Sequence, residues 1–141
     1  MSAQTKLKVY YFTAILSLVF AVVGFSYNAW RMEVSEDNNN IRTASFEVLR
    51  ELAELERVIF AAHYDKDPVE GNPRKGWIKV GLINDLSSLI GEDVQLKATE
   101  LKQMWAAGWE RVELEREIVE NLATSIDSVR AEIKAVLAGL D

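Results

Sequence analysis

From Val9 to Trp30 the chain reads VYYFTAILSLVFAVVGFSYNAW, with no Asp, Glu, Lys, Arg or His. At 1.5 Å rise per residue, about 20 residues cross a hydrocarbon core of about 30 Å. The pattern predicts one membrane-spanning helix over 9–30 behind a short basic tail at 1–8. Tyr10, Tyr11 and Phe12 mark one end and Phe25, Tyr27 and Trp30 the other, where amphipathic rings favour the headgroup layer. A cleaved signal peptide is the competing reading. Its apolar region usually runs about 7 to 15 residues, and Val22-Val23-Gly24 is a poor small-x-small site, so an anchor is preferred.

Thr13, Ser17, Ala21, Gly24 and Asn28 fall within an arc of roughly 80° at about 100° per residue. A stripe of small and hydroxyl side chains lets helices approach closely in lipid, either with a second copy or with a partner's anchor.

Past the span, Val34, Asn38, Ile41, Ser45, Val48, Leu52, Leu55, Ile59 and Ala62 follow alternating steps of three and four. That is the seam of a coiled coil or the core stripe of a bundle helix over about 31–62. Phe46, Leu49 and Phe60 widen it and favour a bundle. Residues 35–40, SEDNNN, are poor helix formers, so the helix either continues through them or bends and restarts. Residues 63–76, HYDKDPVEGNPRKG, read as a loop with two prolines and two glycines.

A second helix is expected over 77–90, with Ile78, Leu82, Ile83, Leu86, Leu89 and Ile90 on the buried face and Gly91 closing it. A third is expected over 94–138. There Ala98, Leu101, Trp105, Val112, Val119, Leu122, Ile126, Val129, Ile133 and Val136 keep the three-four alternation, with only Gly108 and Glu115 out of character. An unbroken helix of that length would be nearly 70 Å long. Two shorter helices cannot cover its stripe unless they stack along it, so a second protomer is expected to help.

The fold class expected is therefore all-α: an N-terminal membrane helix, then a helical hairpin or bundle over 31–141 with a long, coiled-coil-like C-terminal helix. The core or oligomer seam comprises Ile41, Val48, Leu52, Leu55, Ile59, Leu101, Trp105, Val112, Val119, Leu122, Ile126, Val129 and Ile133.

All 22 acidic residues lie beyond Trp30, against fourteen of the 16 basic ones, a formal charge of −8 on that part of the chain. Such a balance argues against nucleic acid as a partner. Lys6 and Lys8 before the span favour a cytoplasmic N-terminus and a periplasmic C-terminal domain, although Arg31, Arg42 and Arg50 blunt the asymmetry. Cysteine is absent, which removes disulfides and thiolate metal sites.

Three groups could carry chemistry. His63 stands near Asp65 and Asp67, a weak metal set that lacks the spacing of a calcium loop. Arg74, Lys75 and Lys79 surround Trp77 and could receive a phosphate, a headgroup or an acidic loop. Trp105 and Trp109, four apart, would share a helix face as core or as a partner's anchor. No Gly-x-Ser-x-Gly elbow, phosphate loop or dinucleotide glycine pattern occurs. The expectation is a non-enzymatic interaction subunit without a cofactor. It would work with the lipid bilayer, copies of itself or another membrane protein, and the alternative is a ligand-sensing or small metal- or lipid-binding accessory domain.

The segments Tyr27-Asn28-Ala29-Trp30-Arg31, Asn40-Ile41-Arg42-Thr43-Ala44-Ser45-Phe46, Ala62-His63-Tyr64-Asp65 and Gly71-Asn72-Pro73 with Trp77 carry a resemblance over about the first 90 residues. They resemble a group of small single-pass inner-membrane proteins of Gram-negative bacteria to which no activity is assigned. The resemblance implies an inner-membrane location and nothing about a reaction. In layout alone the chain also resembles bitopic coiled-coil proteins of the division machinery and the inner-membrane subunit of phage spanins.

Overall fold

The computed structural model describes residues 2–140; Met1, which opens the expected basic tail, and Asp141, which ends the C-terminal domain, lie outside it. Four α-helices account for most of these residues: α1 (Ala3–His63), α2 (Pro73–Ser87), α3 (Glu92–Gly108) and α4 (Arg116–Ala138). A single 3-10 turn, Trp109–Arg111, lies between α3 and α4. Among the described residues there is no strand, so the chain is all-α. It forms two compact units, one ending at Asp37 and the other beginning at Asn38.

The first unit is helical from Ala3, so the tail expected to precede the span is part of the helix. Ser2 caps it, its hydroxyl oxygen accepting from the Thr5 N–H at 3.3 Å. This unit contains a segment long and apolar enough to cross a membrane, with none of it buried inside the protein. Residues 35–40 remain within α1.

The second unit is a helical bundle. Its core takes Val48, Leu52, Leu55 and Ile59 from α1, Val80 and Ile83 from α2, Leu101 and Trp105 from α3, and Leu122, Ile126, Val129 and Ile133 from α4. Ile41 packs against it partly buried. Short connections make sequential neighbours antiparallel. Cross-links between helices fit that order: Lys79 meets Glu51, Arg130 meets Glu56, and Thr99 Oγ1 lies 3.0 Å from Asn84 Oδ1.

Three expectations are corrected. First, the long C-terminal helix does not exist. Helix α3 stops at Gly108, and the chain reverses through Trp109–Glu115 before α4 begins. Gly108 is needed there because a Cβ on it would lie 2.8 Å from Ile118 Cγ2. Glu115 is the extended residue ahead of α4, with φ −107° and ψ 110°. It sits on no seam; its carboxylate pairs with Arg111 at 3.2 Å.

Second, α2 begins at Pro73 rather than Trp77. The Asn72 side-chain oxygen accepts from the Arg74 N–H at 3.0 Å, and proline tolerates the first helical position because its missing N–H would have no partner there. The helix also ends earlier, at Ser87, leaving Gly91 extended ahead of α3.

Third, the buried face of α2 is Gly76, Val80, Ile83 and Ser87, continued by Ile90, while Ile78, Leu82 and Leu89 are exposed. The core at this helix is set by close approach. A Cβ on Gly76 would fall 2.2 Å from the Trp105 ring, so the indole occupies the space that a side chain would need.

Candidate functional site

The end of the bundle opposite Asn38 gathers most of the residues singled out for chemistry. Here the last turn of α1, the 64–72 loop, the start of α2 and the α3–α4 reversal converge. Trp77 packs edge-on against both Trp105 and Trp109, with ring centroids 6.4 Å apart in each case. Trp105 is 2% exposed and belongs to the core, while Trp109 lies partly buried at its margin.

His63 holds the two connections together. Its Nδ1 lies 2.8 Å from the Val112 carbonyl oxygen, which can only accept, so the ring donates from Nδ1. Lys66 donates from Nζ to the Glu113 carbonyl oxygen. Asp67 Oδ1 accepts from the Val69 N–H at 2.9 Å and the Glu70 N–H at 3.1 Å. Those backbone donors, Glu70 first, hold its carboxyl below the usual value, with Lys75 adding a smaller pull. Gly71 lies against the end of α1, where a Cβ would come within 2.5 Å of the Ala62 backbone nitrogen.

These contacts reassign the weak metal candidates. His63 and Asp67 are engaged with backbone, and among the described residues no three His, Asp or Glu side chains are grouped to hold an ion. The cationic patch is dispersed as well. Lys79 Nζ lies 2.7 Å from Glu51 Oε2, whose side chain is 4% exposed, and Lys75 pairs with Glu70 at 3.5 Å. Arg74 is exposed and Trp77 is turned to its indole neighbours.

The seam residues assigned to a core or an oligomer come together within one chain. Of them, all but Ile41 are fully buried in the single core, including Val112 and Val119 on either side of the reversal. Thr13, Ser17, Ala21, Gly24 and Asn28 are exposed within the first unit. The Thr13 hydroxyl donates to the Val9 carbonyl oxygen at 2.9 Å, and a Cβ on Gly24 would meet nothing within 4 Å.

Two features are not encoded in the core stripe. Phe46 and Phe60, assigned to the widened core stripe, are 61% and 38% exposed. With Arg50, Ala53 and Arg57 they form a second run of three-four steps along the outward face of α1, which Tyr64 continues just past its end. Phe60 and Tyr64 stack edge-on with centroids 5.7 Å apart. The signal was the heptad interval 46, 53, 60, a half-turn away from the core seam. The other is a cavity of about 210 Å³ between the end of α1, the loop and the α3–α4 reversal, with Trp105 and Trp109 in its wall.

No protein-family model, curated protein or solved structure matches the chain, so its functional reading rests on these residues.

Proposed function

We propose that the protein is a membrane-anchored, non-enzymatic interaction subunit whose helical bundle docks a partner helix along the outward face of α1. The observation that carries this reading is the exposed run Phe46, Arg50, Ala53, Arg57, Phe60 and Tyr64. Two phenylalanines and a tyrosine at helical intervals give a long apolar strip, the form in which one helix receives another. Arg50 and Arg57 beside it suit a partner helix with acidic flanks. The occupant is a second copy of the chain or another membrane protein.

The anchor reading rests on the uncharged stretch Val9–Trp30. We assign it to a bacterial inner membrane, with the N-terminus cytoplasmic and the bundle periplasmic, from Lys6 and Lys8 and from the resemblance described above. The stripe Thr13, Ser17, Ala21, Gly24 and Asn28 would add a contact within the lipid.

The test is native mass spectrometry, with protein identification, of tagged full-length protein extracted gently from its own membrane. The reading expects a stoichiometric companion, a second copy or a different membrane protein, that is lost in the Phe46→Asp, Phe60→Asp double variant. Both positions are exposed, so that variant should keep its fold. A monomer alone, or a complex indifferent to both substitutions, would overturn it.

A further inference from the structure

The outward strip of α1 carries charge on its own midline. Phe46, Ala53 and Phe60 recur every seven residues at one seam position, and Arg50 and Arg57 recur at the other, with Tyr64 following just past the helix end. Neither arginine is spent inside the bundle. The Arg50 side chain is 71% exposed and comes only to 3.9 Å from Glu47, and the Arg57 guanidinium enters no ion pair or hydrogen bond among the described residues. The acidic groups beside Arg57 are mostly engaged elsewhere: Glu56 with Arg130 at 2.6 Å, Glu70 with Lys75 at 3.5 Å, and Asp67 with two backbone N–H groups. Glu47 and Glu54 stand one position beyond Phe46 and Ala53, at the edge of the strip, where solvent and salt screen them. Whatever covers the strip therefore has to answer two arginines at its centre, because a charge buried without a counter-charge is costly.

A second copy of the chain fails that requirement. Copies anchored through the same N-terminal span enter a membrane in the same sense, so two strips laid together run parallel and each seam residue meets its own counterpart. Phe46 and Phe60 would pair well, but Arg50 would stand against Arg50 and Arg57 against Arg57. Like charges set face to face at an interface select against the partner that brings them. We infer that the occupant of the strip is a helix of a different protein, with large apolar residues at one seam position and acidic residues, spaced as Arg50 and Arg57 are, at the other. This rests on the docking reading above and deepens it by naming the partner's chemistry.

The test uses the full-length chain in phospholipid vesicles, with two readouts. Ala53→Cys places a thiol in the middle of the strip of a chain that has no cysteine of its own. Mild oxidation followed by intact mass is expected to leave this variant monomeric. An equal mixture with the Ala53→Cys, Arg50→Glu, Arg57→Glu variant is expected to give the mixed disulfide dimer, because each arginine then meets a glutamate. The second readout is the binding of a labelled, designed helical peptide with leucine at one seam position and glutamate at the other. It is expected to bind at least tenfold more tightly than the same peptide with lysine for glutamate, and the Arg50→Glu, Arg57→Glu variant is expected to reverse that preference. All three substituted positions are exposed, so circular dichroism should show the helical content unchanged. A disulfide dimer of the Ala53→Cys chain alone would give the strip to a second copy, overturning the inference while the docking reading stands. Equal binding of the two peptides, or a mixture that does not link, would show that the arginines select nothing and overturn it as well. If the mixture does not link and neither peptide binds, the docking reading fails with it.

Discussion

Lys79 shows at the scale of one residue how the bundle disposes of its charges. Its ammonium reaches Glu51 Oε2 at 2.7 Å, and the Glu51 side chain is 4% exposed, so the lysine serves a buried carboxylate and not the solvent. Lys79→Met strands that carboxylate and is expected to cost about 3–5 kcal/mol of unfolding free energy in denaturant titrations of the full chain. Adding Glu51→Leu removes the stranded charge and should recover most of the loss. Gly76 makes an equally local demand. Gly76→Ala drives a methyl group into the Trp105 ring, and an overpacked site of this kind costs about 1–3 kcal/mol in the same measurement. Asp67 gives a pH signature. Its carboxyl sits below the ordinary 3.8 because the Glu70 and Val69 N–H groups stabilise the charged form. The turn it holds is therefore fully stabilised above the unfolded value and loses that support as pH falls through the lower folded value. Hydrogen exchange at the Val69 and Glu70 amides should accelerate, relative to the rest of the bundle, only below about pH 3.8. Asp67→Asn, which still offers an oxygen, should abolish that pH dependence.

At the scale of elements, α4 is tied to α1 by Arg130, which meets Glu56 at 2.6 Å and Asp127 at 2.9 Å. The Glu56 hydrogen bond is the main reason the guanidinium holds its proton even more firmly than usual. Arg130→Ala should lower stability by about 1–2 kcal/mol, while Arg116→Ala, whose pair with Glu120 is mostly exposed, should change little. The helical class and the inward faces of α1, α3 and α4 were legible in the sequence because each follows one apolar stripe. The break between α3 and α4 was not, for a geometrical reason. The connector 109–115 is seven residues, one heptad, so the apolar pattern re-enters α4 in phase and reads as one helix. The two off-pattern residues, Gly108 and Glu115, were its only traces, and they stand on either side of the reversal. In helix α2 residue size is a poor guide to burial. Its inward face includes Gly76, which the Trp105 ring of α3 approaches closely, and the small Ser87, while its larger Ile78 and Leu82, and Leu89 just past its end, are exposed. Of the candidate chemistry, the spacing of Trp105 and Trp109 suggests one shared helix face, but Trp109 lies past the end of α3 and the two indoles are joined through Trp77, while the cavity beside them depends on a loop whose path no periodicity encodes.

At the scale of the molecule, closing the bundle within one chain changes what is left for partners. A stripe running unbroken over 94–138 would need a second protomer to cover it. Folded at 109–115, it is buried by its own neighbours, and Val112, Val119, Leu122, Ile126, Val129 and Ile133 are at most 3% exposed. In the function proposed above, association uses the outside of α1 and the small-residue stripe of the first unit. The most direct test of this account exploits the absence of cysteine. A Cβ placed on Gly108 would stand 3.9 Å from the Ile118 Cβ, inside the disulfide range of about 3.5–4.5 Å. In an unbroken helix the same two residues, ten apart, would be about 15 Å from each other along the axis. Mild oxidation of the full-length Gly108→Cys, Ile118→Cys double variant, read by non-reducing electrophoresis and intact mass, is predicted to give an intramolecular disulfide in a single chain. A covalent dimer, or no disulfide at all, would mean that the helix is open and its stripe is covered by another molecule, contradicting the closed bundle.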